Sequence, residues 1–248
     1  MCLSCLRVRN ETSDYRPNRG VVHSESRTAS RERADGAIAG YPATLVELRT
    51  ATTSLRVYVV ADLEHLVDRG ALLRGEAEPP YWAYPWAGSR CLAEYVTRWV
   101  DVRGRRVLEI GCGLGIAGLA AAAGGAQVVF VDAAPPALAF VRASLRLNRL
   151  DAATVCADYR TLAPHARFDC ILAAEVAYEP ATFADLAATI ARYLAPGGTA
   201  LVADGYRTDT RALYRALSNH DLATRALEVQ PLEEGRRARM RLTAVTCR

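Results

Sequence analysis

Between Arg106 and Asp204 the chain alternates short apolar runs with amphipathic stretches, and few architectures accept that pattern. The runs are RVLEI (106–110), QVVFVD (127–132), ATVCA (153–157), FDCILAA (168–174) and GTALVAD (198–204). PALAFVRASLRLN follows the second run and places Leu138, Val141 and Leu145 at helical spacing. ATFADLAATIARYL precedes the fifth and does the same with Phe183, Leu186 and Ile190. Apolar strands joined by helices build right-handed βαβ units, with a parallel sheet covered on both faces. The predicted fold is therefore α/β: a doubly wound, mostly parallel, seven-stranded sheet. Its last two strands are LATRALEVQPL and RMRLTAVTC, alternating runs around EEGRRA that read as an antiparallel hairpin at the sheet edge.

Upstream of this core, Leu92, Tyr95, Val96 and Trp99 fall at i, i+3, i+4 and i+7 and predict a helix. ATLVEL and SLRVYVV read as two strands joined by a Thr/Ser turn, and ADLEHLVDRGALL as a helix after them. Together they suggest a small N-terminal cap over residues 37–80, ahead of a main domain at 81–248. Residues 1–36, rich in Arg, Ser and Glu, bury too little apolar surface to fold alone and are expected to form a flexible tail.

Several function classes lose ground on composition. No apolar run reaches the ~18–20 residues of a membrane span, and the start lacks the apolar core of a secretory signal, so a cytoplasmic protein with no membrane partner is expected. The seven cysteines are odd in number and fit no disulfide framework. Neither they nor the four histidines have metal-site spacing, so no metal is expected. Net charge is +4, every basic residue is an arginine, and the arginines form no single stripe; this argues against nucleic acid as the main partner.

An acidic residue stands at or just past the carboxyl end of each of the five parallel strands: Glu109, Asp132, Asp158, Glu175 and Asp204. Ligands of doubly wound sheets bind along that edge. Strands ~4.8 Å apart spread five carboxylates over roughly 20 Å, too far for one metal ion but suited to an elongated ligand with hydroxyls and amines. The glycines after the first strand read in two registers. Gly113-x-Gly115-x-x-Gly118 with Asp132 beyond it satisfies a dinucleotide pattern. Glu109-x-Gly111-x-Gly113-x-Gly115 instead ends the strand on an acid and lets bare backbone approach a ribose and an amino-acid tail. The second register uses more of the residues present.

That second register, with acids ending the second strand and following the third, resembles the seven-stranded (class I) S-adenosylmethionine-dependent methyltransferases over residues from about 80 to 248. The resemblance implies S-adenosylmethionine as cofactor. It implies that Glu109, Gly111, Cys112, Gly113 and Gly115 line the methionine moiety, that Asp132 holds the ribose, that Asp158 faces the adenine amine and that Tyr159 flanks the ring.

EPPYWAYPWAGSRCLAEYV, just before the core, is similar to the segment preceding it in a protein-methylating branch, that of the electron-transfer-flavoprotein β-subunit lysine methyltransferase. That branch carries Asp-x-x-Tyr after the fourth strand; here the place is taken by Glu175-Val-Ala-Tyr178. The resemblance makes Glu175 and Tyr178 the expected catalytic pair, orienting an amine, with Trp86 facing the cofactor sulfonium or the acceptor cation through its ring. Trp82 and Tyr84 are candidates for the same contact or for core packing. The expected acceptor is a lysine of a protein substrate, such as the electron-transfer flavoprotein β-subunit. A small amine methylated on the same fold, or a dinucleotide-binding enzyme, are the alternatives.

Overall fold

The computed structural model describes residues 33–63, 70, 74–75, 78–162, 166–233, 236–237 and 239–248. Its centre is a seven-stranded sheet built from β4 (Arg106–Ile110), β5 (Gln127–Asp132), β6 (Ala153–Cys156), β7 (Phe168–Ala174), β8 (Leu194–Asp204), β9 (Leu222–Val229) and β12 (Met240–Cys247). Strand order is β6-β5-β4-β7-β8-β12-β9. The pairs β4–β5, β4–β7, β5–β6 and β7–β8 are parallel. The predicted hairpin is present, with one refinement: β12 enters between β8 and β9 and runs antiparallel to both, so β9 forms the edge. Two short strands, β10 (Leu232–Glu233) and β11 (Arg236–Arg237), pair in the connection between β9 and β12.

Among the described residues, five helices cover the sheet: α1 (Ala87–Trp99), α2 (Ile116–Ala123), α3 (Pro135–Asn148), α4 (Phe183–Tyr193) and α5 (Arg211–Asn219). Strand side chains alternate between faces. Val107, Phe130, Cys170, Leu172 and Ala203 share one core with α1, α2 and α3, while Leu108, Ile110, Val131, Ile171 and Ala173 share the other with α4 and α5. The predicted helix faces do the burying: Leu138, Val141 and Leu145 on α3, and Phe183, Leu186 and Ile190 on α4, are all buried. Each such side chain contributes on the order of 2 kcal/mol of apolar transfer. On α1, Leu92 and Val96 are fully buried, whereas Tyr95 and Trp99 are only partly so. Helix α2 has no polar face, since every residue from Ile116 to Ala122 is buried. Periodicity therefore gives no signal for it.

The N-terminal strands form a three-stranded antiparallel sheet, β1 (Arg33–Ile38), β2 (Tyr41–Arg49) and β3 (Ser54–Val60). Strand β1 begins inside the stretch read as a tail; its sequence RADGAI has weak strand propensity, and pairing with β2 supplies what propensity does not. Strand β3 docks on α3 through polar contacts. Asn148 accepts from the Arg56 amide (3.0 Å) and donates to the Arg56 carbonyl (2.6 Å), and the Ser144 hydroxyl accepts from the Tyr58 amide (3.0 Å). Residues 1–32, and most of the helix expected over 61–73, lie outside the described residues.

Candidate active site

A cleft of about 400 Å³ opens at the carboxyl edge of the parallel strands, between the loops after β4 to β7 and the segment 78–86 that leads into α1. Its floor is the glycine loop. Gly111, Gly113 and Gly115 all have left-handed backbones (φ 57°, 51° and 70°), which glycine adopts without a steric penalty. A Cβ on Gly113 would stand 2.9 Å from the Trp82 carbonyl oxygen, and one on Gly111 would stand 2.7 Å from Val176 Cγ1. The loop is tied down by Cys112 N–H to the Val131 carbonyl (3.0 Å) and Gly115 N–H to the Cys112 carbonyl (2.7 Å).

Three of the five aligned carboxylates, Asp132, Asp158 and Glu175, reach the cleft; Glu109 and Asp204 do not. The difference is one of burial. Asp132 and Asp204 both end their strands and Glu109 stands one residue before the end of β4, but Glu109 and Asp204 are held in the packed layers at 1% and 4% exposure, whereas Asp158 and Glu175 stand in loops. Glu109 accepts from the Gly118 amide of α2 (3.0 Å), and burial pushes its carboxyl up to about 8. Asp204 lies beside Arg241; burial raises its carboxyl, and among the described residues its Oδ2 has no hydrogen-bond partner. Gly115 also stands behind the cleft wall, packed against Val141 and Phe130. Glu109 and Gly115, expected beside the methionine moiety, are thus placed beneath the glycine loop and outside the cleft lining.

Asp132 accepts from the Gly113 amide through Oδ2 and from the Ala134 amide through Oδ1, both at 2.8 Å. Each oxygen keeps a lone pair for a ligand hydroxyl. Burial raises this carboxyl, against the opposing pull of those amides. Asp158 is gripped by the Arg160 guanidinium (2.5 Å to Oδ2), which holds its carboxyl below the usual range. Arg160 also lines the cleft, beside the half-buried Tyr159. The Cys112 side chain is buried, and its thiol is pushed well up by burial and by the nearby Glu109 and Asp132 carboxyls.

The other end of the cleft is aromatic and acidic. Tyr178 is 52% exposed and its ring lies 5.4 Å from that of Tyr81, which also faces Trp86. Trp86 is fixed by a bond from its indole N–H to the Tyr81 carbonyl (2.8 Å), and Tyr84 packs beside it. Trp82 instead wedges between Tyr41 and Phe140 as a core residue that shows part of its surface to the cleft. Glu175 has a left-handed backbone (φ 56°), costly for a residue with a side chain. Its carboxylate, 7% exposed, accepts from Arg207 (2.5 Å) and lies close to the Gly88 and Gly205 backbones. Burial raises this carboxyl, and the Arg207 charge opposes that rise. Sequence reasoning missed Tyr81, Glu78, Glu179 and Arg160, which line the cleft, and Arg207, which closes on Glu175. The local sequences around Tyr81, PPYW (79–82), and Arg207, ADGYR (203–207), hold the only signals for those two residues.

Glycine loop, sheet order and single antiparallel strand together define the class: the fold is that of the class I S-adenosylmethionine-dependent methyltransferases, and residues 107–198 match a family model described as a methyltransferase domain. Two curated relatives are similar to the chain: the cypemycin N-terminal methyltransferase of a Streptomyces species, 37% identical over 48% of this chain and 48% of that protein, and the zebrafish (Danio rerio) electron transfer flavoprotein beta subunit lysine methyltransferase, 35% identical over 41% and 40%. The chain thus spans about half the length of the curated relatives it matches. The 16S rRNA N2 G1207 methyltransferase RsmC of T. thermophilus, solved with AdoMet and guanosine, shares the fold at a TM-score of 0.58 and 20% identity, over 86% of this chain and 52% of that one. The matched domain and the fold imply S-adenosylmethionine as cofactor, and the residues present fit it: a glycine-rich loop would take the amino-acid tail, the oriented Asp132 carboxylate the ribose hydroxyls, and Tyr159 a purine face. Among the described residues, no helix is long and apolar enough to cross a membrane.

Proposed function

We propose that this protein transfers a methyl group from S-adenosylmethionine to an amine nitrogen of a polypeptide, a lysine side chain being the acceptor the site suits best. The observation that carries the reading is the pairing of a glycine-loop cleft with Glu175, Trp86 and Tyr178 at its open end. The names of the two relatives agree on polypeptide nitrogen, one acting at an N-terminus and one on lysine. Bound along the glycine loop, the cofactor supplies a sulfonium methyl group as the electrophile.

This chain's residues supply position and electrostatics. Asp132 and the loop amides hold one end of the cleft, and Glu175 with the ring faces at the other draws in a cation. A lysine ammonium has a pKa near 10.4 and must lose a proton before its nitrogen can act. Glu175 already carries the Arg207 guanidinium, so its role is to orient the amine. The proton leaves to solvent past Tyr178, whose hydroxyl helps align the neutral nitrogen. Alignment of the two reacting centres accounts for much of the rate.

The test is incubation with methyl-labelled S-adenosylmethionine and a lysate of the source cell. Label in a discrete protein band, located on lysine by mass, supports the proposal. Label confined to small molecules moves the acceptor to a metabolite amine. The chain contains no lysine, so labelling of its own side-chain amines cannot confuse the result. Stabilisation on melting by NAD and not by S-adenosylmethionine would restore the dinucleotide alternative.

A further inference from the structure

The acceptor end of the cleft already holds a cation belonging to the chain. Arg207 places Nη2 2.5 Å from Glu175 Oε2 and its guanidinium carbon 4.4 Å above the centroid of the Trp86 ring. The Glu175 side chain is 7% exposed while that of Arg207 is 49% exposed, so the guanidinium lies between the buried acid and water. Glu175 and Tyr206 both adopt left-handed backbones (φ 56° and 57°), each at the turn that follows its strand. Helix α1 closes on the same acid, since a Cβ on Gly88 would stand 2.7 Å from Glu175 Cγ.

We infer that Arg207 is an internal stand-in for the acceptor: its guanidinium occupies the cation site formed by Glu175 and Trp86, and an incoming ammonium must displace it. The inference rests on the acceptor-side reading of Glu175 given above. A carboxylate paired with an aromatic face binds ammonium and guanidinium alike. Arginine suits the task because it stays protonated at any working pH and has no lone pair to offer as a nucleophile. Its long, half-exposed side chain can swing into water without moving the backbone of either loop. The consequence is selectivity. Only an acceptor with enough further contacts to outcompete an intramolecular cation gains the site, which favours an amine carried on a polypeptide over a free small amine.

Cation binding to the site can be read without any methyl transfer. The protein has three tryptophans, so the indole N–H resonance of Trp86 can be assigned with Trp86→Phe and followed by NMR. The probe is ethylguanidinium chloride, with propionamide as the neutral control, at matched ionic strength. Arg207→Ala is expected to bind ethylguanidinium saturably at Trp86, at least about tenfold more tightly than wild type, with no response to propionamide and none in the Arg207→Ala/Glu175→Gln double variant. Arg207→Met, which keeps an apolar stem against the ring, serves if the alanine variant unfolds. A folded variant that binds the cation no better than wild type, or that responds equally to propionamide, overturns the inference and leaves Arg207 a structural partner of Glu175. Cation binding in a protein that labels no polypeptide would overturn the proposed acceptor instead.

Discussion

Glu109 Oε2 and the Gly118 amide meet at 3.0 Å where β4 passes under α2, with the acid wholly enclosed. The first turn of α2 thereby gains an acceptor for an amide that the helix leaves unpaired. The bond also explains Gly118, where a Cβ would run into both Glu109 and the Phe130 ring. The glycine that seemed to belong to the dinucleotide pattern is needed for close helix–strand packing.

Burial raises the Glu109 carboxyl from 4.5 to about 8. An acid with a raised folded pKa favours its protonated form, so its contribution to stability is complete below about pH 4.5 and is lost as pH climbs through 8. Glu109→Gln, a mimic of the neutral acid, should therefore gain on wild type across that window. Melting temperatures recorded from pH 4.5 to 8.5 should diverge steadily with pH; parallel curves would show that Glu109 does not titrate there.

Gly118→Ala forces a methyl group between α2 and β4. The cost expected for such overpacking is about 1–3 kcal/mol, or a melting temperature lower by several degrees. Gly36→Ala is the control, because no atom lies within 4 Å of a Cβ there. A Gly118→Ala protein as stable as the control would mean that α2 shifts freely.

Asp132→Ala removes the acceptor for the Gly113 and Ala134 amides at the same time as the proposed ribose contact. Calorimetric titration should show S-adenosylmethionine affinity reduced by about a hundredfold or more, from lost charge-assisted bonds and a loosened loop. Affinity within threefold of wild type would take Asp132 out of the cofactor site.

Glu175→Gln keeps the shape and polarity of the side chain while losing the charge that holds Arg207 and attracts an acceptor. Cofactor affinity should be unchanged and turnover lower by roughly ten- to a hundredfold. Tyr178→Phe should slow transfer less, about tenfold, with an unaltered melting temperature because half of its ring is in solvent. Wild-type turnover in Glu175→Gln would remove that acid from the mechanism.

Strand–helix alternation determined the doubly wound sheet, because burial on two faces imposes a period that sequence records directly. Leu138, Val141, Leu145, Phe183, Leu186 and Ile190, set at helical spacing in the sequence, are all buried. The E-x-G-x-G-x-G spacing likewise marked the loop, since Gly111 and Gly113 have backbones and neighbours that other residues would strain. Sequence position did not tell which acids face a ligand. Strand ends align five of them, but packing by neighbouring elements encloses Glu109 and Asp204 and leaves Asp132, Asp158 and Glu175 on the cleft. Nor did it show that Arg207, 32 residues from Glu175 in the chain, seats its charge on that acid and on Trp86. That contact exists only because parallel pairing sets β7 beside β8 and directs the turns after both toward the start of α1. Long-range pairing places groups together with no local pattern to announce it, and the chemistry of this site is decided there.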